Sequence, residues 1–251
     1  MRSKPNNYVF TIMFILIVLH ACNPQLVPPN TLQHTDRYPD SIPQEGTWNI
    51  TGYAEIVNTE VIINGSIVIW GTLVVKNSTI YFNSNQTHIF NITVNNGGNL
   101  TIINSTITCL NPPYGYQIHA RDGCYIRIEN STIAYAKDDD GAGLIVKTNT
   151  SIIANSTIVN TTGILVYTTD HIKISGNRII SFDYAITLYN STSCLVSNNT
   201  IRATRGVLLN NSYNNTIIYN DFTGGGIFIT GNLTSFNHTI SGNSIFGHDI
   251  V

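Results

Sequence analysis

Asn77-Ser78-Thr79-Ile80 returns down the chain as Asn104-Ser105-Thr106-Ile107, Asn130-Ser131-Thr132-Ile133 and Asn155-Ser156-Thr157-Ile158. Looser copies of the phrase are anchored on Asn177, Asn199, Asn220 and Asn243. Successive anchors lie about 21 to 27 residues apart, the interval of a solenoid that completes one coil per repeat. Within one interval, Gly143 to Lys147, Ser151 to Ala154 and Ser156 to Val159 are short runs rich in β-branched residues. Asn149 and Thr150, Asn155, and Asn160 to Thr162 bound them. Three short strands per turn follow from this punctuation, and a helical period does not fit. The reading is all-β: a parallel β-solenoid of about eight coils, each of three short strands.

The anchor asparagine has a physical task in that reading. A one-residue bend between strands needs a left-handed backbone, which asparagine tolerates better than other residues with a Cβ. Anchors stacked in register can also pass amide hydrogen bonds from coil to coil. Asn77, Asn104, Asn130, Asn155, Asn177, Asn199, Asn220 and Asn243 are therefore read as scaffold. Period-two alternation then turns Ile118 and Ala120, Leu144 and Val146, Ile164 and Val166, Ile186 and Leu188, Val207 and Leu209, and Ile227 and Ile229 inward as stacked rows.

With these rows laid over one another, the stretch from Trp48 to Val251 resembles the right-handed parallel β-helix, or pectin-lyase-like, superfamily. More narrowly it is similar to the NosD-like repeat proteins and to carbohydrate-binding and sugar-hydrolase repeat modules. The resemblance implies a fold, because chemistry in that superfamily sits on residues that vary from member to member. Ile63 to Ile80, with Gly65 and Gly71, looks like the opening coil of such proteins, and Trp48 and Ile50 are placed to seal it. Segment 47–73 is read as an N-terminal cap and first coil, and 74–251 as the repeats, with no C-terminal cap visible.

The chain begins with Arg2 and Lys4, an apolar run from Tyr8 to Leu19, and Ala21 before Cys22. A spanning helix needs about 20 apolar residues, so this shorter run over 1–22 reads as a secretory signal. Leu19-His20-Ala21-Cys22 resembles a lipoprotein cleavage box, which makes Cys22 a lipidation candidate; an ordinary signal ending near a cysteine is the alternative. Segment 23–46, with five prolines, reads as a stiff tether. The expected location is extracellular or at the cell surface, with membrane contact only through the signal or a lipid anchor.

Charged residues are 10% of the chain, against about 25% in an average protein. The net charge of −2 offers no basic footprint, so nucleic acid is not an expected partner. Seventeen Asn-x-Ser/Thr sequons are potential glycan acceptors in an exported chain, and glycans there would supply hydration that charges do not. Their abundance also follows from the turn and strand composition of a β-helix. Cys109 and Cys124 can close a short disulfide or stay as buried thiols.

The outward positions beside the first strand of each coil are His119 and Arg121, Lys147, Leu165 and Tyr167, Thr187 and Tyr189, Leu208 and Asn210, and Phe228. Glycoside hydrolysis ordinarily needs two carboxylates about 5 to 10 Å apart, and this stripe supplies none. Its tyrosines and aliphatics instead suit a glycan or a cell-surface protein. One region is compatible with calcium-assisted elimination: Asp138, Asp139 and Asp140 near His119, Arg121 and Lys147. Asp138 and Asp140 are weak calcium candidates there, and a solvated acidic turn is the competing reading.

The function read from sequence is an exported, glycosylated, non-catalytic binding or structural module for glycan or protein. The alternatives are a polysaccharide lyase or glycoside hydrolase, and a surface-layer or fibre subunit self-associating end to end.

Overall fold

The computed structural model describes residues 42–43, 45–137, 142–231 and 237–249. The leader over 1–22 with Cys22, the tether up to residue 41, and Asp138, Asp139 and Asp140 lie outside the described residues. Within them the chain winds a right-handed parallel β-solenoid without a helix. One sheet is built from nine strands, from Tyr53–Val57 to Thr239–Ser241, each in parallel register with the next. That count gives about nine turns, where the repeat phrase gives eight. The additional coil is the first, with strands Trp48–Ile50, Tyr53–Val57 and Glu60–Ile63. It bends at Asn58-Thr59 and lacks the phrase, which is why the repeat passes over it.

Each coil has three sides. The first sheet runs from Trp48–Ile50 through Gln117–Ala120, Leu144–Val146 and Ile164–Tyr167 to Ile227–Thr230. The second is the nine-stranded sheet. The third runs from Glu60–Ile63 through Thr79–Phe82 and Thr106–Cys109 to Ser244–Ile245. In the later coils the corner between third and first sheets is so tight that both sides join in one strand, as in Arg178–Tyr189 and Thr200–Asn210. The register slips there between Ser181 and Tyr184, where a bulge turns the corner.

The inward rows fill the interior. Ile118, Ala120, Leu144, Val146, Ile164, Val166, Ile186, Leu188, Val207 and Leu209 are all buried. Ile229 continues the row in the last described coil and is 41% exposed, because no further described coil covers it. Tyr116 closes one corner from inside: it stacks on Phe82 with ring centroids 4.9 Å apart and donates its hydroxyl to the carbonyl of Ile107 at 2.8 Å.

The bend between second and third sheets repeats in all nine coils. A left-handed residue, φ 49° to 68°, stands there as Asn58, Asn77, Asn104, Asn130, Asn155, Gly176, Asn198, Tyr219 and Gly242. Asn77, Asn104, Asn130 and Asn155 are thus the bend residues themselves. Asn177, Asn199, Asn220 and Asn243 are not: each sits one position after the bend with its side chain buried. They continue the column of Ser78, Ser105, Ser131 and Ser156.

That buried column is a ladder. The backbone N–H of Ser78 donates to Ser105 Oγ at 3.2 Å, Ser105 to Ser131 Oγ at 3.1 Å, and Ser131 to Ser156 Oγ at 3.1 Å. The backbone N–H of Ser156 then donates to Asn177 Oδ1 at 2.9 Å. Asn177, Asn199 and Asn220 hand on the same bond at 2.9 to 3.0 Å and add an Nδ2-to-Oδ1 link at 2.9 to 3.0 Å. Each of these side chains satisfies a backbone donor that a two-residue bend strips from the sheet.

Removing one rung leaves buried groups without partners, at about 1–3 kcal/mol each. Asn199→Ala orphans the N–H of Asn177 and removes the bond that Asn199 donates to the carbonyl of Ile174 at 3.0 Å. It is expected to lower stability by about 2–4 kcal/mol. Asn104→Gly, at an exposed left-handed bend, is expected to change it by less than about 1 kcal/mol. Urea titrations followed by circular dichroism compare the two; equal losses would show that the inner column is not the stronger constraint.

Candidate functional site

The outward face of the first sheet carries two rows of side chains along the solenoid axis. One row runs His119, Ile145, Leu165, Thr187, Leu208, Phe228, with each residue in register with the next. The neighbouring row runs Tyr167, Tyr189, Asn210, Thr230. Strands in adjacent coils lie about 4.8 Å apart, so each row is a regularly spaced line of groups.

At one end the face hollows out. Trp70, Asn95, Asn96, His119, Arg121, Asp122 and Lys147 line an open depression of about 590 Å³. His119, Arg121 and Lys147, picked from sequence, therefore do come together. Trp70 and Asp122 join them unforeseen: Trp70 holds the register position of Arg121 and Lys147 in an earlier coil, within the segment read as cap and first coil, and Asp122 falls on the turn beyond Arg121. A second depression of about 400 Å³ shares Asp122 and Lys147 and continues over Asn149, Thr150 and Thr168. Among the described residues neither Arg121 nor Lys147 has a carboxylate within ion-pair distance.

Lys147 leads from the hollow into the tyrosines. Its Nζ lies 5.0 Å from the centre of the Tyr167 ring, a cation–π contact. On its other side Tyr167 stacks on Tyr189, with centroids 5.0 Å apart and planes 2° from parallel. Both faces of Tyr167 are thus occupied, and what it offers a ligand is its edge and phenol hydroxyl.

Farther along, Phe228 meets Tyr184 edge to face at 5.9 Å, and the Arg205 guanidinium carbon lies 4.3 Å above Tyr184. Arg205 is also paired with Asp183 at 2.5 Å. The bulge after Ser181 brings Asp183 and Arg205 together at the rim of the face.

Chemistry elsewhere is sparse. Asp170 and His171 are 3.3 Å apart on an exposed corner. Among the described residues no group of three His, Cys, Asp or Glu side chains gathers as a metal site. A larger depression, about 920 Å³, lies at the corner between third and first sheets near the start of the solenoid, lined chiefly by Asn, Thr and Ser. It contains none of the residues read from sequence as functional.

Residues 90–250 match the family described as the right handed beta helix region. The chain belongs to this right-handed β-helix family. Among solved structures, this β-helix protein is similar to the A-module of the mannuronan C-5 epimerase AlgE6 from Azotobacter vinelandii. The identity is 19% and the TM-score 0.48, over 79% of this chain and 57% of that one. It is also similar to a periplasmic alginate epimerase, AlgG, at 12% identity and TM-score 0.30, over 79% of this chain and 76% of that one. No curated protein matches the sequence.

The described thiols are not nucleophiles in waiting. Cys109, Cys124 and Cys194 are buried and unbonded, so the Cys109–Cys124 disulfide is not formed. Burial pushes Cys124 and Cys194 up to about 11 and raises Cys109 as well. The fold favours neutral thiols, so the stability they contribute is full below pH 9 and fades as pH climbs toward 11. Iodoacetamide at pH 8 is expected to leave Cys124 and Cys194 unlabelled in the native protein and to label both in urea. Fast native labelling would show an accessible thiolate.

Proposed function

We propose that this is an exported, glycosylated surface protein whose first sheet binds an acidic glycan without altering it. The carrying observation is the pair Arg121 and Lys147, two cations on neighbouring coils that have no carboxylate partner among the described residues, opening directly onto the Tyr167–Tyr189 stack. Free cations at a half-enclosed surface recruit carboxylates through charge-assisted bonds. The flanking phenols, Asn210 and Thr187 supply hydroxyl and amide partners at a fixed repeat.

Binding without turnover follows from what the face lacks. Asp122 is the one carboxylate at the hollow among the described residues, whereas hydrolysis ordinarily takes two. A second reading, elimination or epimerisation on a uronate, is favoured by one observation: His119 shares the hollow with Arg121 and Lys147. A proton acceptor beside two cations is the minimum for removing a proton next to a carboxylate.

Calorimetry with oligouronates and with neutral oligosaccharides of equal length separates these readings. Acidic ligands are expected to bind, more weakly as salt rises. Arg121→Ala and Lys147→Ala should each weaken Kd about 10-fold, equivalent to about 1.4 kcal/mol. Equal affinity for neutral ligands would sink the acidic reading. Appearance of unsaturated or epimerised sugar on long incubation, lost in His119→Ala, would replace binding by catalysis.

A further inference from the structure

The sequons divide by backbone geometry. Of eleven asparagines with left-handed φ, nine are followed two residues later by Ser or Thr. Of the six buried asparagines, Asn95, Asn177, Asn199, Asn215, Asn220 and Asn243, none is. Alternation along the strand explains the split. After an outer bend residue the next side chain turns inward and the one after it outward, where Thr79, Thr106, Thr132 and Thr157 stand half-exposed. After a buried asparagine the second residue on turns inward, and in five of the six it is Ile or Phe. The fold therefore presents amide and hydroxyl of a bend sequon together on the outside.

Four such sequons fall in consecutive coils on one edge. Asn77, Asn104, Asn130 and Asn155 are all exposed, with φ of 49° to 50°. Their edge joins second and third sheets, opposite the face of the first sheet. Asn91 and Asn210 are sequons of a different kind. They are half-buried within strands of that first sheet, Asn91 accepting from Thr93 at 3.1 Å and Asn210 in register with Tyr189.

We infer that the edge of Asn77, Asn104, Asn130 and Asn155 is the glycan-bearing edge of the solenoid, and that Asn91 and Asn210 stay bare. The inference rests on the export reading, because the modification is made on exported chains. In the transfer, an Nδ2–H bond breaks and an Nδ2–C1 bond to the sugar forms. The C1–O bond of a lipid-phosphate-linked sugar donor breaks, the phosphate leaves with the electron pair, and the amide proton passes to a base of the transferring enzyme. The attached sugars hydrate the side of the solenoid that charges do not, and leave the first sheet clear for a ligand.

Glycopeptide mass spectrometry on the protein isolated from its own host reads each site. Peptides holding Asn77, Asn104, Asn130 and Asn155 are expected to carry sugar mass, and those holding Asn91 and Asn210 to be bare. Thr106→Ala should remove the sugar at Asn104, and Thr106→Ser should keep it, with the bend untouched in both. An exported chain bare along this edge, or modified at Asn91 and Asn210 instead, overturns the assignment alone. A chain found inside the cell without sugar overturns the export reading together with it.

Discussion

A two-residue bend between parallel strands takes a backbone N–H out of the sheet and points it into the interior, where no water reaches it. Everything in this molecule depends on meeting that donor once per turn. The answer is a side-chain oxygen from the next coil, Ser Oγ in the first half and Asn Oδ1 in the second. The bond fixes the stacking register, because a coil displaced by one residue would bring an outward-facing neighbour, such as Asn104 or Thr106 in place of Ser105, to the rung position and leave the donor unmet. Register in turn sets which side chains form rows, so the aliphatic interior and the outward face both follow from the same bond.

Much of this was legible in the letters, and the failures have physical causes. The repeat interval gave the solenoid, and alternation gave the buried rows at Ile118, Leu144, Ile164, Ile186 and Val207. Spelling misled at the anchor column. Asn155-Ser156 and Gly176-Asn177 occupy equivalent positions, yet the eye aligns asparagine with asparagine and slips by one residue. Asn58-Thr59 hid a whole coil for a related reason, since Thr59 reaches the same ladder through its N–H alone.

The site was legible where period-two alternation could be carried from coil to coil. His119, Arg121 and Lys147 fall in one hollow as alternation and coil stacking suggest. Trp70 escapes the same logic because it lies in the segment read as cap and first coil, and Asp122 because it belongs to the turn after Arg121 rather than to an outward row. Tyr184, Asp183 and Arg205 escape it because a bulge breaks the period. Ring orientation was beyond reach altogether: a row of tyrosines says nothing about whether their faces meet solvent or each other.

The change of rung from serine to asparagine divides the solenoid into halves of different stiffness. The rungs at Ser105, Ser131 and Ser156 each couple neighbouring coils through one bond, while each step between Asn177, Asn199, Asn220 and Asn243 couples them through three. In a quasi-one-dimensional fold, stability is close to a sum of nearest-neighbour couplings. The boundary between ordered and frayed coils is then a wall that moves along the axis, and its cost depends on where it stands. It rests most cheaply among the serine rungs. Force or denaturant applied to either end should therefore part the molecule among its serine rungs, with the multiply linked coils beyond Ser156 coming away as one block.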